Sequence, residues 1–139
     1  MRMTARSVLH VPLALAGLIA LAAPGLAHHN FAAQYDVNQP ITLQGVVTRI
    51  DWMNPHVYFY IDVENAETGE IESWALEMGP PHMLQARGWK RNSMQIGDEV
   101  KVEAMRARNG SPNANARRVT LTATGEVLGA ASSEESQRR

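Results

Sequence analysis

Apolar and polar residues alternate along five stretches of this chain, the pattern of β-strands that are buried on one face. The stretches cover residues 41–50, 57–63, 70–78, 99–104 and 116–124. In the second stretch Val57, Phe59 and Ile61 fall on one side, whereas Tyr58 and Tyr60 fall on the other. The pattern therefore predicts a mainly β domain whose core is filled from one face of each strand.

The first stretch changes face in its middle. Ile41 and Leu43 share one parity, and the apolar positions from Val46 onward share the other. The switch falls at Gly45-Val46, and a glycine inside a strand indicates a bulge or a sharp bend. A long first strand whose two halves pair with different neighbours is a way to close a small barrel.

A short helix is predicted over residues 81–87, between the third and fourth strands. Pro80 and Pro81 stand at its start, good helix formers follow, and Gly88 stands at its end. Three strands, a helix and two more strands is the order of a five-stranded OB-like barrel, which is the fold we predict. Another small β-barrel or an open sandwich is the alternative.

The N-terminal 27 residues have the layout of a secretory signal peptide. Arg2 and Arg6 precede an apolar run over residues 8–23, and small residues lead to a cleavage-like site after Ala27. A retained membrane anchor is the alternative, but the run is short for a full span. We expect a signal peptide at 1–27, an OB-like domain at 28–128, a disordered tail at 129–139, and a periplasmic location.

The net charge and the absence of cysteine limit the kinds of partner and metal site that we expect. Loss of Arg2 and Arg6 leaves 11 basic residues against 14 acidic ones, which argues against a sequence-independent nucleic-acid binder. The chain has no cysteine, so disulfides and thiolate metal sites are excluded. We expect a small ligand, a metal or an envelope protein as partner, with no nucleic acid and no stable membrane insertion after signal removal.

Four short motifs resemble those of a family of small secreted bacterial proteins of unknown function. They are His28-His29-Asn30-Phe31, Trp52-Met53-Asn54-Pro55-His56, Glu77-Met78-Gly79-Pro80-Pro81 and Arg87-Gly88-Trp89. The resemblance covers nearly the whole mature chain. It implies a compact, mainly β secreted domain, and it supplies no activity.

Histidines are the candidate metal ligands, because copper, nickel and zinc favour imidazole nitrogen. They are His28, His29, His56 and His82. Cleavage after Ala27 would give His28 a free α-amine beside its ring, a chelate that a third nitrogen from His56 or His82 would complete. Met53, Met78 and Met83 could add soft ligation to Cu(I). The alternative is a loose histidine terminus that binds metal weakly.

Aromatic side chains suggest a second kind of site, because OB-type barrels bind ligands on strands two and three. The candidate ligand-binding residues are Trp52, Tyr58, Tyr60 and Met78. Exposed tyrosines can also serve only for cross-strand packing. We expect Trp52 and Trp74 to be largely buried, which limits their role in such a platform.

No catalytic motif is present. The chain lacks a nucleophilic cysteine, a Gly-x-Ser-x-Gly elbow, a phosphate-binding glycine loop and a His-Glu-x-x-His pair. Asp51 and Glu77 beside His56 could form an acid–base pair, but carboxylates at strand ends are usually solvated.

The sequence therefore favours a non-enzymatic periplasmic ligand-binding domain with copper as the most concrete ligand. The alternative is a structural or protein-interaction module of the cell envelope with no small ligand.

Overall fold

The computed structural model describes residues 31–132, and it is mainly β, as predicted. Its elements are α1 (Phe31–Gln34), β1 (Tyr35–Asp51), β2 (Tyr58–Glu64), β3 (Ile71–Glu77), α2 (Pro81–Ala86), β4 (Glu99–Ala107), β5 (Asn113–Leu121) and β6 (Val127–Gly129). The predicted signal peptide and the residues after 132 lie outside the described part. Within it, no helix is long and apolar enough to cross a membrane.

Five strands form a closed ring. The sheet order is β3-β2-β1-β4-β5-β6, and a short parallel pairing of β3 with β5 joins the two ends of the five-strand set. The other pairings are antiparallel. The five predicted strands and the helix between the third and fourth are thus confirmed, whereas α1 and the three-residue β6 were not predicted.

The first strand bends, but its face changes later than the sequence suggested. β1 pairs with β4 up to Val46 and with β2 from Val46 onward, so its two halves do have different neighbours. Val47 is buried and Val46 is 45% exposed, so Gly45-Val46 is not the switch. The register shifts between Val47 and Arg49, where Thr48 is the extra residue of a bulge.

Gly45 serves a different purpose from the one predicted. A Cβ atom at this position would lie 2.3 Å from the carbonyl oxygen of Asp62 on β2. The glycine therefore allows two backbones to approach closely at the point where β1 passes from one neighbour to the other.

The core confirms the predicted alternation in the middle strands. Its fully buried members include Val57, Phe59, Ile61, Leu76, Met78, Val100, Val102 and Val119. Trp74 is 5% exposed and belongs to the same cluster, as expected. Trp52 is intermediate in burial and packs against the edge of that cluster, so it is less buried than Trp74.

The C-terminal segment is part of the packed domain beyond the predicted boundary at residue 128. Gly129 belongs to β6, and Ala130 and Ala131 are fully buried. The amide of Gly79 donates to the carbonyl oxygen of Ala130 at 2.9 Å, so this segment crosses the end of β3. A disordered tail beginning at 129 is therefore wrong for residues 129–132, because small apolar side chains pack closely there.

A second, smaller apolar cluster lies at the N-terminal end of the described chain. Phe31 and Tyr35 stand four residues apart, so α1 brings their rings together with centroids 5.4 Å apart. Both rings are buried together with Ala107 of β4. Arg108 fastens the segment further, since its Nε donates to the carbonyl oxygen of Ala32 at 2.6 Å. Residues 31–35 are thus anchored to the outside of the five-strand ring.

Candidate functional site

The connection between β1 and β2 forms an exposed corner, which we call the Pro55 corner (residues 52–56). The Asn54–Pro55 peptide bond is cis, and Asn54 and Pro55 are exposed. Met53 is 56% exposed, whereas His56 is half-buried. The corner therefore presents a thioether to solvent and holds an imidazole at the surface of the domain.

Beneath this corner lies a buried carboxylate. Glu77, at the end of β3, is 3% exposed although it lies on the outer face of its strand, opposite to Leu76 and Met78. His56 Nδ1 lies 2.6 Å from one carboxylate oxygen, and the hydroxyl of Tyr35 donates to the other at 2.5 Å. Tyr58, the cross-strand neighbour of Glu77, also hydrogen-bonds it. We call these four residues the Glu77 cluster.

The cluster holds Glu77 as an ion. Burial opposes its ionisation, but hydrogen bonds from His56, Tyr35 and Tyr58 outweigh this effect, so its pKa lies below the ordinary value. Burial raises the pKa of the Tyr35 and Tyr58 hydroxyls, and the negative charge of Glu77 raises it further. Both phenols therefore stay protonated and act as donors to the carboxylate.

The orientation of His56 follows from this charge. An ionised carboxylate only accepts hydrogen bonds, so the proton shared with Glu77 lies on Nδ1 of the imidazole. When the ring is neutral, Nε2 then carries the free lone pair, which is the form that binds a metal. A histidine fixed by a carboxylate on its other nitrogen is the arrangement found around many metal sites.

Acid should remove the contribution of Glu77 to stability in the metal-free protein. Because its folded-state pKa is depressed, the contribution is complete above the unfolded pKa of about 4.3 and is lost as the pH falls through the folded value. Glu77→Gln should therefore be destabilising at neutral pH, and its difference from the wild type should shrink in acid. Urea unfolding across a pH series measures this difference.

Glu126→Gln is the matched control, since Glu126 is exposed and lies far along the chain on the turn before β6. That variant should differ little from the wild type at any pH. A Glu77→Gln difference that stays constant, or that grows as the pH falls, would contradict the assigned ionisation of Glu77.

The predicted ligand-binding residues do not come together as one platform. Met78 is fully buried in the core, so it is not accessible to a ligand and that assignment is corrected. Tyr58 belongs to the Glu77 cluster, and the guanidinium of Arg49 lies 5.0 Å from the ring centre of Tyr60. Trp52 lies at the Pro55 corner, where it packs partly against the core.

The candidate metal ligands are only partly described. His56 belongs to the Glu77 cluster, His82 is exposed on α2, and His28 and His29 lie outside the described residues. Across residues 31–132, no group of three or more histidine or carboxylate side chains could hold a metal ion.

Tyr35 is the site residue that the sequence did not reveal. Its hydroxyl reaches a carboxylate 42 positions further along the chain. The Phe31–Tyr35 spacing of four was the available signal, because it fits one face of a helical turn. Asp51, considered as a partner for His56, instead pairs with Arg49 at 2.7 Å.

The protein is thus a small β-domain built on a closed ring of five strands. The buried carboxylate of Glu77 holds the imidazole of His56 at its surface. The chain belongs to a family of unknown function, DUF6152, whose model matches residues 15–116. This agrees with the resemblance to a family without known activity; the four motifs themselves are untested. No curated protein matches the chain.

One solved structure similar to this chain is the mitochondrial single-stranded DNA binding protein Rim1 of S. cerevisiae. The two are 12% identical, with a TM-score of 0.48, over 60% of this chain and 93% of Rim1. The expectation that nucleic acid is excluded as a partner is contradicted by this similarity. The exclusion of nucleic acid is therefore withdrawn, and the similarity itself names no partner of this chain.

Proposed function

We propose that this chain is an exported, periplasmic, non-enzymatic binding domain that holds Cu(II) between His56 and a mature N-terminal His28. The observation that carries the proposal is the 2.6 Å contact between His56 Nδ1 and the buried carboxylate of Glu77. It fixes the imidazole and leaves Nε2 available to a metal.

We further propose that the five-strand ring is an OB-like barrel. The ring order β1-β2-β3-β5-β4, the bulged first strand and the position of α2 between β3 and β4 support this assignment. In this arrangement the Pro55 corner is the β1–β2 connection, and the Glu77 cluster lies on the outside of the barrel wall.

The anchoring of residues 31–35 supports a shared site with His28. Phe31 is buried against Tyr35, and the Tyr35 hydroxyl contacts the same carboxylate as His56. Two residues lie between His28 and Phe31, so the three steps of extended chain reach at most about 11 Å. This short covalent distance from the anchored Phe31 supports a site shared by His28 and the Glu77 cluster.

The chemistry of the donors suits Cu(II). After cleavage, His28 offers an α-amine and an imidazole, and His56 offers a third nitrogen. The α-amine and imidazole have unperturbed pKa values of about 8 and 6.5, so the metal must displace protons. Affinity should therefore fall as the pH falls through this range.

Calorimetric titration with Cu(II) tests the proposal on the mature chain that begins at His28. Adding one residue before His28 converts its α-amine to an amide, and His56→Ala removes the anchored imidazole. Each change is expected to weaken binding at least about tenfold, or about 1.4 kcal/mol.

His82→Ala is the matched control, because it also removes one histidine but from the exposed face of α2. It should leave the Kd of the mature chain unchanged. Indistinguishable isotherms for the mature, extended and His56→Ala proteins would reduce the site to a metal-binding terminus without a defined geometry, and the proposal would be abandoned.

A further inference from the structure

We propose that a cleft beside the β2–β3 hairpin docks an extended segment of a partner protein in which Lys or Arg alternates with apolar residues. The cleft involves none of the Glu77 cluster, so the inference is independent of copper binding. It rests on the shape, apolar lining, charge and free strand edge of this surface.

The cleft opens where β1 and β2 separate. Their pairing ends at Val46 and Asp62, but β2 continues to Glu64 before the chain turns into β3. We call the resulting space the hairpin cleft. It is lined by Leu43, Val63, Ile71 and Trp74, with Asn65, Glu70 and Glu72 on its rim.

Exposed apolar side chains extend this surface across the hairpin. Ile71 is 58% exposed, and it lines both the hairpin cleft and a neighbouring outer depression. Val46, which is 45% exposed, lines the depression as well. Large apolar side chains beside a groove and surrounded by polar residues are typical of an interaction surface.

The surface is acidic. Its carboxylates are Asp62, Glu64, Glu70, Glu72 and Glu99, and no Lys, Arg or His lines either the cleft or the depression. Within the described chain, the ion pairs are formed by other carboxylates. Lys101 lies one strand away, opposite Gln44, and the guanidinium of Arg106 lies 5.4 Å from the ring centre of Trp74. An apolar groove with unpaired negative charge is complementary to a segment that is both apolar and cationic.

A free strand edge provides backbone partners. β3 pairs with β5 only from Ala75 onward, and the Ala75 amide points away from β2 to the carbonyl oxygen of Pro112 at 3.0 Å. Ile71 and Ser73 have the same parity, so their backbone groups point the same way but have no ladder partner among the described strands. An unpaired edge of this kind can accept an added strand.

An added strand would place its side chains alternately on two faces. Apolar side chains on one face would pack against the hairpin cleft, while basic ones on the other would approach Asp62 and Glu64 beside the outer depression. The alternation in the proposed partner follows from this geometry.

The probe is a fluorescent peptide in which Lys alternates with Val, blocked at both ends, and the readout is anisotropy with the mature protein. Binding is expected, and it should weaken strongly with added salt because the partners are exposed charges. Glu64→Lys/Glu70→Lys should weaken it at least about tenfold. Ile71→Ser should weaken it about threefold or more through lost apolar contact.

Glu126→Lys/Val127→Ser is the matched control, since it changes an exposed acid and a 55% exposed valine at β6. It should retain wild-type affinity, and a peptide with Glu in place of Lys should not bind. Absence of binding by the Lys peptide overturns the proposal. So does equal binding by the hairpin-cleft variants and the β6 control, since the contact would then be non-specific.

Discussion

Replacing Trp74 with alanine is expected to lower the free energy of unfolding by about 3–5 kcal/mol, as other large core truncations do. The ring is 5% exposed and faces the core from β3, directly across from Ile61 on β2. Its Nε1 donates to Glu72 at 2.8 Å, and the guanidinium of Arg106 lies 5.4 Å from the ring centre. The substitution thus removes packing, a hydrogen bond and a cation–π contact together. Urea unfolding measures the loss.

Trp52→Ala is the control, because it removes the same kind of side chain from a less buried position. Because Trp52 is half-buried at the edge of the core, its removal should cost about 1–2 kcal/mol. Equal costs for the two variants would contradict the burial difference between them. If the Trp74 midpoint barely moved, the ring would be a surface group instead of a core residue.

The sequence predicted those parts of the fold that depend on local alternation. In β2, β3 and the first part of β4 up to Ala104, each core residue stands two positions from the next, and the structure buries them accordingly. In β1 the same reasoning located the bend too early. The bulge at Thr48 arises where β1 pairs with β2, and a pairing between distant segments leaves little trace in a single strand.

The C-terminal segment and the Glu77 cluster could not be predicted from the sequence, because both depend on contacts between distant parts of the chain. The composition of residues 129–139 suggested disorder, but Ala130 and Ala131 are small enough to pack against Gly79. Glu77 was expected to be solvated because it stands at the end of a strand. Its burial depends on Tyr35, which arrives from the start of the chain. Neither contact has a local signature, since each joins residues that are more than forty positions apart.

Gly79 within the Glu-Met-Gly-Pro-Pro motif is expected to tolerate no side chain. A Cβ atom at this position would lie 1.9 Å from the carbonyl oxygen of Ala131 and 2.9 Å from its Cβ. The obstacle is backbone and cannot rotate away, so the segment at 130–131 would have to move. That movement would also break the 2.9 Å hydrogen bond from Gly79 to Ala130 and expose two buried alanines. We expect Gly79→Ala to cost about 3 kcal/mol in urea unfolding.

Gly129→Ala is the matched control for this prediction. A Cβ at Gly129 would meet only the end of the flexible Arg87 side chain, at 3.4 Å, so a change within about 0.5 kcal/mol is expected. A chain that ends at Gly129 provides the second arm, because it lacks the segment that the new Cβ would strike. In that shortened chain Gly79→Ala should lose most of its penalty, which makes the two changes strongly non-additive. An unchanged penalty would place its origin in β3 or α2 instead of the close approach of Ala131.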